Sequence, residues 1–157
     1  MATFNDAIDY ALQNEGGYTD NPADHGGKTA FGVTAEEAAS HGYTPGAVTL
    51  DQAKTIYQTD YWRFDGVTDQ RVATKILDMV INLGMSGGVR VVQRAVGVAV
   101  DGVWGPHTEA AVNALDPEKA IEQISYKLAD YYIDIVKNNL SQLVFLRGWI
   151  RRAIRRP

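Results

Sequence analysis

Glu15 is followed by Gly16, Gly17 and Tyr18, and the stretch that ends at Thr34 then sets out Asp20, Asn21, Asp24, Gly26, Gly27, Thr29, Gly32 and Val33. The residues before Glu15 read as a helix, so this carboxyl falls at a helix C-terminus. Unpaired carbonyls make the potential there negative, and a carboxylate is disfavoured relative to the protonated acid. Partial burial under a loop folded back over it adds a desolvation cost of the same sign. A carboxyl still protonated near neutral pH can deliver a proton to a glycosidic oxygen, the work of a general acid. Glycoside hydrolysis also needs a second polar group to hold water or to stabilise the oxocarbenium-like state. Asp24 and Thr29 are the candidates for that role. Taken alone, Glu15 reads better as an exposed glutamate at a frayed helix end.

Asp20, Asn21 and Asp24 are also oxygen donors, but a calcium loop wants ligands at alternate positions before a glycine, and Pro22 stands at one of them. His25, His41 and His107 show no ligand spacing. Neither a metal nor a cofactor is expected.

The elements that must position these groups read as helices. Thr3 with Asp6, Thr34 with Glu37 and Thr49 with Gln52 have the spacing of capping boxes. Pro106 and Pro117 suit first helical turns. The first helix is predicted over 4–15, with Phe4, Ile8, Ala11 and Leu12 as its buried stripe and Gly16 and Gly17 as its stop. Helical period recurs through Ile56 and Tyr57; Val72, Ile76, Leu77, Val80 and Leu83; Val89, Val92 and Val96; and Ile121, Ile124, Leu128, Tyr131 and Ile135. The exception is the segment 17–34, a Gly-rich loop or small β-turn unit, of a kind more often functional than idle. The fold class is therefore all-α. A soft boundary at Ser86, Gly87 and Gly88 divides the chain into regions 1–88 and 89–157, packed as one globule.

The segment EGGYTDNPADHGGKTAFGVT resembles the phage and prophage muramidases of glycoside hydrolase family 108, which open on Glu-Gly-Gly-Tyr followed by Asp-Asn-Pro-x-Asp-x-Gly-Gly-x-Thr. The resemblance continues through Tyr57, Asp60-Tyr61-Trp62, Asp78, Asn82-Leu83-Gly84 and Phe145-Leu146-Arg147-Gly148-Trp149, and so covers nearly the whole chain. It implies a lysozyme-like helical fold and an endolysin that cleaves the β-1,4 bond between N-acetylmuramic acid and N-acetylglucosamine. It also places the catalytic role on Glu15. A looser likeness to the wider phage-type lysozymes supports Asp24, with eight residues between it and Glu15, and Thr29, one residue short of the usual spacing. Tyr18, Asp20, Tyr61, Trp62 and Asn82 are the candidates for holding the sugar chain. A lytic transglycosylase would use the same single glutamate, and a non-catalytic wall-binding module is the third reading.

The stretch from Val92 to Thr108, with its Asp101-Gly102 turn and Gly105-Pro106 helix start, is similar to small peptidoglycan-binding domains. The same residues would serve as a structural turn between two core helices, and Trp104 could pack inward or offer its face to a sugar. Beyond Asp134 the chain has no acid, while Arg147, Arg151, Arg152, Arg155 and Arg156 crowd its end. Removing those five charges from a net −4 leaves a body of −9. The segment 141–157 is expected to form a helix with Leu143, Leu146, Ile150 and Ile154 on its apolar side, which either lies on a membrane or docks on the core, with its arginines presented to an anionic envelope surface or simply solvated. Nucleic acid is not an expected partner, because the acidic body would repel phosphate. The chain has no cysteine and no recognisable leader or membrane span. It is expected to be a monomer, held in the host cytoplasm until another factor releases it to the wall.

Overall fold

In the helix Gln70–Leu83, nine consecutive residues from Val72 to Val80 are buried. A helix apolar on one face only would expose every third or fourth residue, so this one must be covered on all sides. Its neighbours in the computed structural model, which describes residues 1–14 and 31–157, supply that cover. Among the described residues the regular structure is helical throughout: α1 (Phe4–Asn14), α2 (Ala35–Ser40), α3 (Leu50–Tyr61), the central α4 (Gln70–Leu83), α5 (Met85–Val96), α6 (Pro106–Asn113), α7 (Pro117–Asn138), a 3-10 turn (Leu140–Gln142) and α8 (Leu143–Ile154). Helices α1, α3, α5 and α7 all pack on α4. The protein is all-α, consistent with a lysozyme-like fold.

The starts fall where the sequence places them. Thr3 Oγ1 donates to Asp6 Oδ2 at 2.7 Å and accepts from the Asp6 amide. Thr34 with Glu37 and Thr49 with Gln52 form complete capping boxes, and Pro106 and Pro117 occupy the first turns of α6 and α7. In α1 the buried stripe holds Phe4, Ala7, Ile8 and Ala11, with Leu12 partly buried beside it. The loop or β-turn unit expected after α1 falls for the most part at 15–30, outside the described residues.

Helices α4 and α5 are joined by one residue. Gly84 adopts φ 75° and ψ 157°, a conformation essentially closed to residues with a Cβ. Ser86, Gly87 and Gly88 lie inside the first turn of α5. Gly88 is where the two helices touch, since a Cβ there would sit 2.6 Å from Val80 Cγ1 and 2.9 Å from Val80 Cα.

Two charges sit inside α4. Lys75 and Asp78 are 1% and 2% exposed, and charges so placed persist only when paired and hydrogen-bonded. Helix α8 answers both. Arg152 Nη2 donates to Asp78 Oδ1 at 2.9 Å, while Lys75 Nζ donates to the carbonyls of Ala153 (2.6 Å), Arg155 (2.8 Å) and Arg152 (3.4 Å). The lysine thus caps the C-terminus of α8, where carbonyls lack partners within the helix. These contacts fix α8 antiparallel to α4.

This docking also selects which face of α8 turns inward. Ala153 is fully buried, and Leu146 and Trp149 pack against the core. Leu143 and Ile154, expected on the apolar side, are exposed at 57% and 59%.

Candidate functional site

The described part of α1 runs to Asn14, and its last turn holds no basic side chain. Glu15, Tyr18, Asp20, Asp24 and Thr29 lie outside the described residues. What the structure gives is the frame on either side of them.

On the entry side, the Thr3 amide donates to Gln70 Oε1 at 2.7 Å and Gln70 Nε2 returns a bond to the Thr3 carbonyl. The starts of α1 and α4 are therefore side by side. The two helices stay in contact along their lengths, so they run parallel and finish at one end of the molecule. Asn82 belongs to the last turn of α4, at the end where α1 delivers Glu15.

On the exit side, Phe31 and Gly32 have φ of 59° and 77°. The left-handed conformation is rare for a residue such as Phe31, and neighbouring contacts must hold it. Tyr57 Oη donates to the Phe31 carbonyl at 2.8 Å. Three residues on, the Thr34 amide and hydroxyl both donate to Glu37 Oε2 at 2.8 Å, and Tyr61 Oη donates to Glu37 Oε1 at 2.6 Å. Partial burial raises the Glu37 carboxyl, but the bonds from Tyr61 and Thr34 outweigh it and leave the pKa below its usual value. Burial first, and then the Glu37 carboxylate, push the Tyr61 phenol well above its ordinary range. Tyr61 is thus engaged as a strut that holds the start of α2.

Trp62 is a core residue. It is 7% exposed, donates from Nε1 to Asp65 Oδ1 at 2.7 Å, and has Phe4 and Phe64 edge-on with centroids at 5.8 and 5.6 Å. Its ring faces are covered by this packing. Trp104 extends the same run inward, edge-on to Phe64 at 4.8 Å. In the C-terminal region the buried Gln93 side chain donates to Asp101 Oδ1 (2.7 Å), the Val103 carbonyl (3.1 Å) and Thr108 Oγ1 (3.2 Å), and accepts from the Gly102 amide (2.9 Å). One amide therefore holds the whole Asp101-Gly102 turn. Asp101 is lowered by the Val103 amide and then by Gln93.

Asn82 is exposed and accepts from Tyr132 Oη at 2.7 Å. It lines an open cleft of about 380 Å³ with Gly148, Trp149, Arg151, Arg152 and Arg155. Gly148, Trp149, Arg151 and Arg152 lie on one face of α8, and Arg155 follows directly on its end. Trp149 stacks on Tyr132 at 5.2 Å, and the Arg155 guanidinium carbon lies 5.6 Å from the centroid of Tyr10, on α1. One lining side chain of the cleft, Arg155, thus lies against α1. Its arginines were legible in the sequence as stripes, but not as a cleft.

Three of the arginines expected to face an envelope surface also have partners on the body. Arg152 is engaged by Asp78, Arg156 Nη1 donates to Glu118 Oε2 at 2.5 Å, and Arg155 lies over Tyr10. The buried charges of α4 and the acid of α7 draw these side chains onto the body.

Among the described residues no three histidine, aspartate or glutamate side chains gather to hold a metal, and no helix is long and apolar enough to cross a membrane. Comparison with known proteins defines the class. The glycosyl hydrolase 108 family model matches residues 8–84, and a model described as a predicted peptidoglycan domain matches residues 87–154. Among solved structures, one titled as that of Brucella abortus SagA is 30% identical, with a TM-score of 0.76, covering 96% of this chain and 88% of that one. No curated protein matches. The chain belongs to glycosyl hydrolase family 108. It is a glycoside hydrolase with peptidoglycan as its substrate or partner.

Proposed function

We propose that this protein is a muramidase of the endolysin type, hydrolysing the β-1,4 bond between N-acetylmuramic acid and N-acetylglucosamine. Residues 1–88 carry the catalysis and residues 89–157 form the peptidoglycan-binding-like part. The observation that carries this reading is the match of the glycosyl hydrolase 108 family model to residues 8–84, a span that includes Glu15. The Gly16-Gly17 pair in the sequence places Glu15 at a helix C-terminus, where the helix field favours the neutral acid needed for proton donation.

In this reading Glu15 protonates the leaving glycosidic oxygen as the bond to the anomeric carbon breaks. Asp24, with Thr29, holds the water that adds to that carbon or stabilises its developing charge. Tyr18, Asp20 and Asn82 contact the sugar chain. Tyr61 supports the exit of the catalytic segment through Glu37, and Trp62 supports it from the core.

The test is Glu15→Gln, a change that keeps shape and removes the proton. General acid catalysis is worth about 10² to 10⁴ in rate, so release of reducing ends from purified peptidoglycan should fall by at least that lower factor with the circular dichroism spectrum unchanged. Retention of more than about a tenth of wild-type turnover would remove Glu15 from the role.

A further inference from the structure

The cleft between the end of α4 and helix α8 is lined by Asn82, Gly148, Trp149, Arg151, Arg152 and Arg155. No acid is among these residues, although the chain as a whole carries 19 acids against 15 lysines and arginines. Such a concentration of one sign in an acidic protein favours an anionic ligand over a neutral one.

Two features show space and charge that the fold itself leaves unused. Gly148 lies in the interior of α8, and a Cβ built on it meets nothing within 4 Å. Glycine in a helix interior is costly relative to alanine, and no neighbouring atom requires it here. Arg151 is exposed and makes no ion pair among the described residues, in contrast to Arg152, which is held by Asp78 at 2.9 Å. Trp149, half-buried and backed by Tyr132, adds a flat apolar wall between them.

From this we infer that the cleft is a subsite for the acidic stem peptide carried by the glycan, with Arg151 pairing a peptide carboxylate and Gly148 keeping the floor open for peptide backbone. The inference rests on the muramidase reading for its substrate. Location supports it: Arg155 reaches Tyr10 on α1, so the cleft adjoins the helix that leads to Glu15, and a peptide branching from muramic acid lies beside the glycosidic bond to be cut. Arg151 is a specificity residue in this account and takes no part in proton transfer.

The experiment compares wild type, Arg151→Gln, Gly148→Leu and the distant surface control Lys119→Gln. Their kcat/KM is measured on purified peptidoglycan and on the same glycan stripped of peptide by an amidase. A charge-assisted pair at a partly exposed site corresponds to about a tenfold effect. Wild type and Lys119→Gln should prefer the peptide-bearing glycan by about that factor, and Arg151→Gln and Gly148→Leu should lose the preference without any fall in melting temperature. An undiminished preference in both cleft variants, or none in wild type, overturns the subsite. Equal loss on both substrates also overturns it, because the stripped glycan retains the lactyl carboxylate and lacks only the peptide. Capture of wild type but not Arg151→Gln by phosphatidylglycerol vesicles, without any substrate preference, assigns the arginine to a lipid surface instead. A binding arm separates this inference from the muramidase reading. Calorimetric titration of Glu15→Gln protein with a muramyl tetrapeptide needs no turnover, and adding Arg151→Gln should weaken it about tenfold. An unchanged affinity sinks the subsite whatever the fate of Glu15.

Discussion

Lys75→Met should uncouple the stability of this protein from pH in the alkaline range. The Lys75 ammonium is 1% exposed, and burial pushes its pKa from 10.5 down to about 8, against the attraction of Asp78 and with help from Arg152 and Arg156. The unfolded chain holds this proton up to 10.5 and the folded chain releases it near 8. Between those values the unfolded state binds more protons, so unfolding free energy rises with pH. Below pH 8 the cost of keeping the buried charge is present in full, and above 10.5 it is gone. That interval corresponds to about 3 kcal/mol. Methionine fills much of the same volume without titrating, and it removes the donors to the Ala153, Arg155 and Arg152 carbonyls. The lost bonds contribute an offset of about 1–3 kcal/mol at every pH. Urea denaturation of both proteins at pH 7, 8, 9 and 10 isolates the slope, since all other groups titrate alike in the two. Wild type should gain on the variant steadily across the window, by up to about 3 kcal/mol in total. A constant difference from pH 7 to 10 would show that Lys75 keeps an ordinary pKa, and that the carbonyls of α8 compensate its burial completely.

Other substitutions probe the same framework. Asp78→Ala leaves Arg152 partly buried without its 2.9 Å partner and should cost about 3–5 kcal/mol, read as a shift in denaturation midpoint. Gly88→Ala places a Cβ 2.6 Å from Val80 Cγ1 and 2.9 Å from Val80 Cα; forcing α4 and α5 apart should cost about 1–3 kcal/mol, with a matching fall in melting temperature. Gly148→Ala meets no atom within 4 Å and should raise stability by about 0.5–1 kcal/mol, measured by the same melts.

The sequence resolved the local rules well and the long-range choices poorly. Thr34 with Glu37 and Thr49 with Gln52 announce helix starts because a capping box is complete within four residues, and Pro106 and Pro117 act through their own geometry. Helix α8 shows the limit. Its sequence offers an apolar side through Leu143, Leu146, Ile150 and Ile154, whereas the docked face runs through Leu146, Trp149 and Ala153 and leaves Leu143 and Ile154 exposed. Asp78 and Lys75 choose, from more than seventy positions away, because buried charges on α4 require Arg152 and the α8 carbonyls as partners. Trp62 followed a recognisable motif and suggested a sugar groove, yet Phe4 and Phe64 enclose it, and their proximity depends on the packing of α1. Tyr61 is tied to Glu37 by a pairing that spans 24 positions, which no local pattern displays. Asn82 is the candidate binding residue that the structure places at an open cleft.

The most direct test of the proposed function is the mass of the products that the wild-type protein and Glu15→Gln release from purified peptidoglycan. Hydrolysis adds one water across the bond, so wild-type muropeptides should end in reducing N-acetylmuramic acid, and the variant should release almost none. Products lighter by one water, with the muramic ring closed on itself, would contradict hydrolysis and make the protein a lytic transglycosylase. Products ending in reducing N-acetylglucosamine would place the cut at the other glycosidic bond.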